Sequence, residues 1–185
     1  MAVNGNSARD SALQLMQHKM EQLDTYIGLQ VRLRRDEMLY ACMVGCSRGI
    51  DDLVGGAHAA HGASNDQAWQ YDVQGALGEF VVAKHYGVFW SGALGNKQAK
   101  DVGGAQVRST PISDGSLIVH KTDPDDDPFV LVCGLGPVFW IRGWLLGHEA
   151  KQDYYWRTHG VRQAAFFVPP SELRSVDTLE LPWRA

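Results

Sequence analysis

Four residues in the middle of the chain have side chains suited to phosphodiester chemistry: Glu79, Asp101, Gln106 and Arg108. Carboxylate and amide oxygens are the ligands that hard cations such as Mg²⁺ prefer. A guanidinium can stabilise the negative charge that develops on a phosphate during its displacement. We expect the first three side chains to converge around one hydrated divalent ion, although they are far apart in sequence.

The segment that positions Glu79 runs from Gly75 to Tyr86 and predicts a largely buried helix, because apolar residues cover nearly its whole circumference. A carboxylate out of water needs a cation, a metal or several hydrogen-bond donors. Gly75 and Gly78, one turn before Glu79, leave room for such a partner. The alternative is that Glu79 lies at the wet edge of the helix and pairs with Lys84 or a loop lysine.

The segment that positions the other candidates predicts a strand with one polar face. In a strand Gln106, Arg108 and Thr110 project to one side, and the residues between them project to the other. Asp101 would lie near one end of the polar face. Because apolar strands follow, we expect this strand to be internal, so that its polar face requires a partner.

Taken together, Gly75-Ala-Leu-Gly-Glu79 followed by Asp101 and Gln106-Val-Arg108 resembles the PD-(D/E)XK nuclease superfamily. The run from Gly75 to about Lys151 is also similar to a group of small bacteriophage-encoded proteins that look like members of that superfamily. The further shared segments are Leu117–Val119, Asp123–Asp126, Val130–Val132, Gly143–Trp144 and Glu149–Lys151.

The resemblance implies an α/β fold with a restriction-endonuclease-like core, in which helices flank a mixed central β-sheet. It also implies that the side chains of Glu79, Asp101 and Gln106, with the main-chain carbonyl of Val107, hold Mg²⁺ or Mn²⁺. Arg108 would take the place of the catalytic lysine.

Two residues depart from the superfamily pattern. Gln106 stands where Glu is usual, and Arg108 stands where the wider superfamily has Lys, although Arg is common in the phage-encoded group. Lys121, at the end of a neighbouring predicted strand, is a candidate for supplying the missing ammonium group. The alternative is that Lys121 is a surface lysine at a strand end.

The resemblance therefore implies metal-dependent hydrolysis of nucleic-acid phosphodiester bonds, with DNA favoured over RNA. The alternative is a non-catalytic module on the same fold that binds nucleic acid or a host protein. The charge balance bears on this choice, since 17 Lys and Arg against 21 Asp and Glu give a net charge of −4. Nucleic-acid binders are usually basic, so the acidic balance and Gln106 favour the alternative, while the retained ligands favour the enzyme.

Length and composition predict a single domain over residues 1–185, with a loose arm to about residue 11 and a mobile loop from Gly49 to Asp66. Three cysteines, an odd number, fit a reducing compartment. With neither a signal-peptide pattern nor an apolar run of membrane-spanning length, we expect a cytoplasmic protein, in the host cytoplasm if a phage encodes it, with no membrane partner.

Apolar periodicity predicts the remaining elements. An acidic hairpin turn, Thr122–Pro128, would join two of the strands. The aromatic residues Tyr154 to Trp156 favour core packing or a homodimer interface, and base stacking is the alternative. The predicted helices are Ala12–Leu23, Asp36–Cys46 and His148–His159, and the predicted strands are Thr25–Leu33, Ser116–Lys121, Phe129–Cys133, Val138–Leu146 and Ala165–Val168.

Overall fold

The computed structural model describes residues 28–55, 65–92, 100–158 and 163–181. The predicted N-terminal arm, the predicted helix Ala12–Leu23 and the middle of the predicted loop lie outside these residues. In chain order the helices are α1 (Arg35–Val54), α2 (Asn65–Tyr86) and α3 (Gly147–Ala150). The strands are β1 (Leu29–Arg32), β2 (Gln106–Thr110), β3 (Leu117–Val119), β4 (Pro128–Cys133), β5 (Val138–Leu146), β6 (Trp156–Arg157) and β7 (Ala165–Val168). This is a mixed α/β fold, as predicted.

The main sheet has four strands in the order β1-β5-β4-β2. Strand β5 runs antiparallel to both β1 and β4, whereas β2 runs parallel to β4, with Gln106 opposite Phe129. In the described part of the chain β2 is thus an edge strand of this sheet, and the prediction that it is internal is wrong. Helix α2 packs against β2. Alternate residues of β4 serve two cores: Val130 and Val132 face the helices, and Phe129 and Leu131 face a second, smaller sheet. The sheet is therefore mixed, flanked by helices and covered on both faces.

The prediction of an acidic hairpin between β3 and β4 is wrong. Strand β3 pairs antiparallel with β7, in the smaller sheet of order β3-β7-β6. Residues 122–128, here called the acidic segment, therefore cross from one sheet to the other. An alternating or continuous apolar run shows that a strand is buried, but it does not say which strand lies beside it.

Both long helices extend further than predicted. Helix α1 continues to Val54 and α2 begins at Asn65, so the two ends of the predicted mobile loop are helical. The loop was predicted from the Gly-rich composition that begins at Gly49, since glycine lowers intrinsic helix propensity. Glycine in α1 instead permits close packing, since a Cβ added to Gly45 would lie 2.5 Å from the Cα of Val73 in α2.

The prediction of a helix over His148–His159 is also wrong. Helix α3 ends at Ala150, and a 3-10 turn over Asp153–Tyr155 leads into β6. Lys151 leaves the helix because its ammonium group binds the acidic segment, where it donates to the main-chain oxygen of Asp123 and to a carboxylate oxygen of Asp125. Tertiary contacts override the local helical pattern here. In the part of the chain that the structure describes, no helix has both the length and the apolar character that a membrane span requires.

Candidate active site

Helix α2 presents Glu79 at its contact with β2. The neighbouring residue Gly78 makes that contact close, because a Cβ at this position would lie 2.7 Å from the Cβ of Ser109. The Ser109 hydroxyl donates a hydrogen bond of 2.9 Å to the main-chain oxygen of Gln74, one turn earlier in the helix. Glu79 is thereby held in the interior, with only 4% of its surface exposed. The room at Gly78, predicted to admit a partner for Glu79, is filled by strand β2.

The cation that compensates Glu79 is Arg48 of α1. Its guanidinium donates to both carboxylate oxygens, at 2.6 and 2.7 Å, and also to the main-chain oxygen of Gly92. The indole nitrogen of Trp90 donates a third bond to the carboxylate, at 3.0 Å. A buried Glu79 with a cationic partner agrees with the sequence-based expectation. Pairing with Lys84 does not, since that lysine binds Glu37 at 2.6 Å.

Asp101 lies five residues before Gln106, the first residue of β2, and close enough to Glu79 for the two charges to repel each other. One of its carboxylate oxygens accepts a 2.7 Å hydrogen bond from the backbone N–H of Val107. Burial, and after it repulsion from Glu79, raise the pKa of Asp101 from its ordinary 3.8 to about 6. The Val107 hydrogen bond and the positive charges of Arg108 and Arg48 act in the opposite direction. The structure therefore brings a buried carboxylate, Glu79, and a half-buried one, Asp101, together where α2 meets β2.

Gln106 and Arg108 project from the opposite face of β2 to Val107, as the strand alternation predicts. The Gln106 amide nitrogen donates to Asp127 at 3.3 Å, and the Arg108 guanidinium donates to Asp123 at 3.0 Å. Arg108 also packs over the ring of Phe129, 5.0 Å from its centroid. Both side chains are thus bound to the acidic segment, and the expected approach of the Gln106 amide to the two carboxylates is replaced by its bond to Asp127.

Lys121 matches its surface alternative. Its side chain is exposed, and its ammonium group lies 4.5 Å from the centroid of the Trp156 ring in the smaller sheet. Lys151, and not Lys121, binds this part of the acidic segment. Its ammonium group donates to the main-chain oxygens of Asp123 and Lys121 and to the carboxylate of Asp125. The described contacts of Lys121 therefore do not support the prediction that it supplies the catalytic ammonium group.

Sequence reasoning missed three partners of the candidate residues: Arg48, Trp90 and Asp127. Each is distant in sequence from the group that it contacts, and only the tertiary fold brings them together. The sequence could have indicated that Asp127 has a partner, because the acidic segment contains four aspartates among seven residues and so requires cations nearby. Lys100 is one of these cations, since it pairs with Asp127.

One pair of the described side chains is a candidate for holding a divalent ion. Mg²⁺ is commonly held by one or two carboxylates, while water and substrate phosphates complete its coordination. Glu79 and Asp101 offer such a pair, with the main-chain carbonyl of Val107 close to Asp101 in the chain. Among the described residues, no group of three or more His, Cys, Asp and Glu side chains is placed to hold a metal.

Comparisons of the chain with protein-family models, with curated proteins and with solved structures gave no match. The resemblance to PD-(D/E)XK nucleases consequently stays a prediction made from the residues of this chain.

Proposed function

We propose that the chain is a metal-dependent nuclease that hydrolyses phosphodiester bonds of nucleic acid, with DNA favoured over RNA. The observation that carries the proposal is the pair of carboxylates at the contact between α2 and β2, the buried Glu79 and the half-buried Asp101. Burial and repulsion from Glu79 both disfavour Asp101 in its ionised form. A carboxylate held in so unfavourable an arrangement is characteristic of functional sites, where binding of a ligand offsets its cost.

A bound Mg²⁺ or Mn²⁺ ion would lower the pKa of a water molecule and neutralise charge on the scissile phosphate. The chain's own residues have separate tasks. Asp101 is oriented by its hydrogen bond from Val107, and Glu79 is oriented by Arg48 and Trp90. Both arginines near the carboxylates, Arg48 and Arg108, remain charged at any pH the fold experiences, so they stabilise negative charge without serving as proton carriers.

Gln106 has a positioning role in this proposal. Its amide binds Asp127, which also pairs with Lys100, so it fixes the acidic segment beside the first residue of β2. The site then depends on two carboxylates where the superfamily uses three acidic residues. We propose a cytoplasmic location for this activity, which the three unpaired cysteines support.

The test is a cleavage assay on plasmid, linear duplex DNA, single-stranded DNA and RNA, each in Mg²⁺, Mn²⁺ or EDTA. We expect metal-dependent cleavage by the wild-type chain and its loss in Asp101→Asn. Asp126→Asn is the matched control, because Asp126 is an exposed aspartate of the acidic segment. Undiminished cleavage by Asp101→Asn would place the active site elsewhere, and wild-type inactivity on every substrate would refute the nuclease.

The second candidate function is a non-catalytic module that binds nucleic acid or a host protein. The favouring observation is that Glu79 already has three hydrogen bonds from Arg48 and Trp90, so it is satisfied without a metal. This function predicts binding of labelled DNA, or capture of a host protein, without cleavage in any metal. It also predicts that Gln106→Glu, which adds a carboxylate, changes neither result.

A further inference from the structure

Helix α1 exposes a continuous row of apolar side chains on its outer face. Met43 is 69% exposed and Leu53 is 62% exposed, although both lie in a well-formed helix. The opposite face of the same helix, with Ala41, Val44 and Gly45, is buried. The row, here called the outer stripe, consists of Leu39, Met43, Cys46, Ile50 and Leu53.

The spacing within the outer stripe is that of a helix that packs against another helix. Successive members are separated by four, three, four and three residues. This is the heptad spacing that keeps one seam of a helix directed at a partner. The charged residues that lie between Leu39 and Leu53 in sequence are outside the stripe; they are Arg48, Asp51 and Asp52. Exposed apolar surface of this kind in a water-soluble fold marks an interaction site.

We propose that the outer stripe is the interface of a symmetric homodimer in which two copies of α1 pack antiparallel. The stripe is complementary to itself in that arrangement. A two-fold axis beside Cys46 places Leu39 opposite the partner's Leu53, and Met43 opposite the partner's Gly49 and next to the partner's Ile50. The larger side chains then meet larger ones in both halves, and the two cysteines meet at the centre. Self-complementarity of this kind is the property that an isologous interface requires.

The area available is sufficient for such an interface. The exposed parts of the stripe, with those of the adjoining Tyr40 and Val54, offer roughly 600 Å² per protomer, or about 1,200 Å² in a pair, at the lower end of the range for specific interfaces. The outer stripe covers 15 of the 20 residues of α1, a length of about 21 Å. Antiparallel packing also places opposite ends of the helix dipoles together.

The dimer is independent of the proposed nuclease activity, but it is connected to the site through α1. Arg48 leaves the same helix on the side that faces α2, where it binds Glu79. Packing of the outer stripe would therefore hold α1 in place without covering the carboxylates. Loss of cleavage and loss of dimerisation are separable outcomes, since the side chains that donate to Glu79, Arg48 and Trp90, do not belong to the outer stripe.

The first test measures the mass of the full-length chain by size-exclusion chromatography with light scattering. We expect a dimer for the wild type and a monomer for Met43→Glu, because the new charge would be buried at the seam. Leu135→Glu is the matched control: Leu135 is also 69% exposed, but it lies in the turn between β4 and β5. This control should remain dimeric. Circular dichroism should show that both variants keep the wild-type fold.

The second test locates the two-fold axis with a short bismaleimide crosslinker. We expect a covalent dimer through Cys46 that is lost in Cys46→Ser and kept in Cys42→Ser. Burial raises the pKa of the Cys42 thiol, which slows its own reaction. A wild-type chain that is monomeric across its soluble range, or a Met43→Glu variant that remains dimeric, would overturn the proposal. The first outcome would assign the stripe to another partner or to a segment of the same chain.

Discussion

The fold compensates the charges of two neighbouring carboxylates, Asp101 and Glu79, to different extents. Glu79 forms a bidentate salt bridge with Arg48 and accepts a hydrogen bond from the indole of Trp90, so its charge is well compensated. Asp101 receives one backbone hydrogen bond and the repulsion of Glu79. Of the two, Asp101 is the carboxylate whose ionised form the folded state tolerates poorly. A divalent ion beside it would reverse that preference.

The first prediction is that Asp101→Asn stabilises the protein at neutral pH. The pKa of Asp101 in the folded state, about 6, is above its ordinary 3.8, so the folded state binds this proton more tightly than the unfolded state does. Stability from this group is therefore full below pH 3.8 and is lost as the pH rises to about 6. Asparagine keeps the acceptor for Val107 without the charge. We expect a gain of about 2 kcal/mol in unfolding free energy.

Urea unfolding of wild type and Asp101→Asn at pH 4 and pH 7.5 checks this prediction, with Asp126→Asn as the control. The gain should be present at the higher pH and nearly absent at the lower one. An Asp101→Asn variant that is less stable than wild type at pH 7.5 would mean that the Asp101 charge is already compensated. If the variant is both inactive and more stable, its inactivity cannot be attributed to unfolding.

At the scale of elements, the contact between α2 and β2 decides the geometry of the site. Gly78 and Ser109 touch there. Glu79 follows Gly78 in α2, and the backbone N–H of Val107 in β2 orients the carboxylate of Asp101. An element that must approach another so closely requires glycine at the crossing point, whatever the cost in helix propensity. Two glycines in α2 can be compared directly, because Gly78 is at the contact and Gly75 has no atom within 4 Å of an added Cβ.

The second prediction is that Gly78→Ala separates α2 from β2, whereas Gly75→Ala does not. The new methyl group at position 78 would lie 2.7 Å from the Cβ of Ser109, and neither atom can turn away. We expect a loss of about 1–3 kcal/mol in stability, together with the loss of cleavage. Gly75→Ala should be neutral or stabilising by about 0.5–1 kcal/mol. Thermal unfolding and the cleavage assay measure both effects.

The compensating substitution strengthens this test. Ser109→Gly removes the Cβ that the new methyl group meets, so the double variant Gly78→Ala with Ser109→Gly should recover part of the lost stability. Equal stability of the Gly78→Ala and Gly75→Ala variants would show that the close contact is not required.

Local patterns predicted some elements well and others poorly, for physical reasons. The mostly apolar run of β5 predicted its bounds, Val138–Leu146, and the structure confirms them. The apolar circumference of the segment Gly75–Tyr86 likewise predicted a largely buried helix, in which Glu79 would need a cation, a metal or several donors. Which cation it is could not be predicted, because Arg48 lies 31 residues earlier. The pairing of β3 with β7 is equally non-local, so only the assembled fold reveals it.

At the scale of the whole molecule, the acidic segment joins the two sheets. It leaves β3 in the smaller sheet and enters β4 in the main sheet. Cations from three other parts of the chain hold it: Arg108 binds Asp123, Lys151 binds Asp125 and Lys100 binds Asp127. The aspartates of this segment are thus partners for basic residues along the fold. Their spacing along the segment distributes Asp123, Asp125 and Asp127 among separate basic side chains.

The last prediction compares the two lysines at this junction. The Lys151 side chain is only 14% exposed and donates to two main-chain oxygens and to Asp125, so Lys151→Met would leave those oxygens without their donor. We expect a loss of about 1–3 kcal/mol. Lys121 is exposed and packs on Trp156, so Lys121→Met should change stability by less than about 0.5 kcal/mol and leave cleavage intact. Urea unfolding and the cleavage assay separate the two. Abolished cleavage in a stably folded Lys121→Met would instead return Lys121 to the active site.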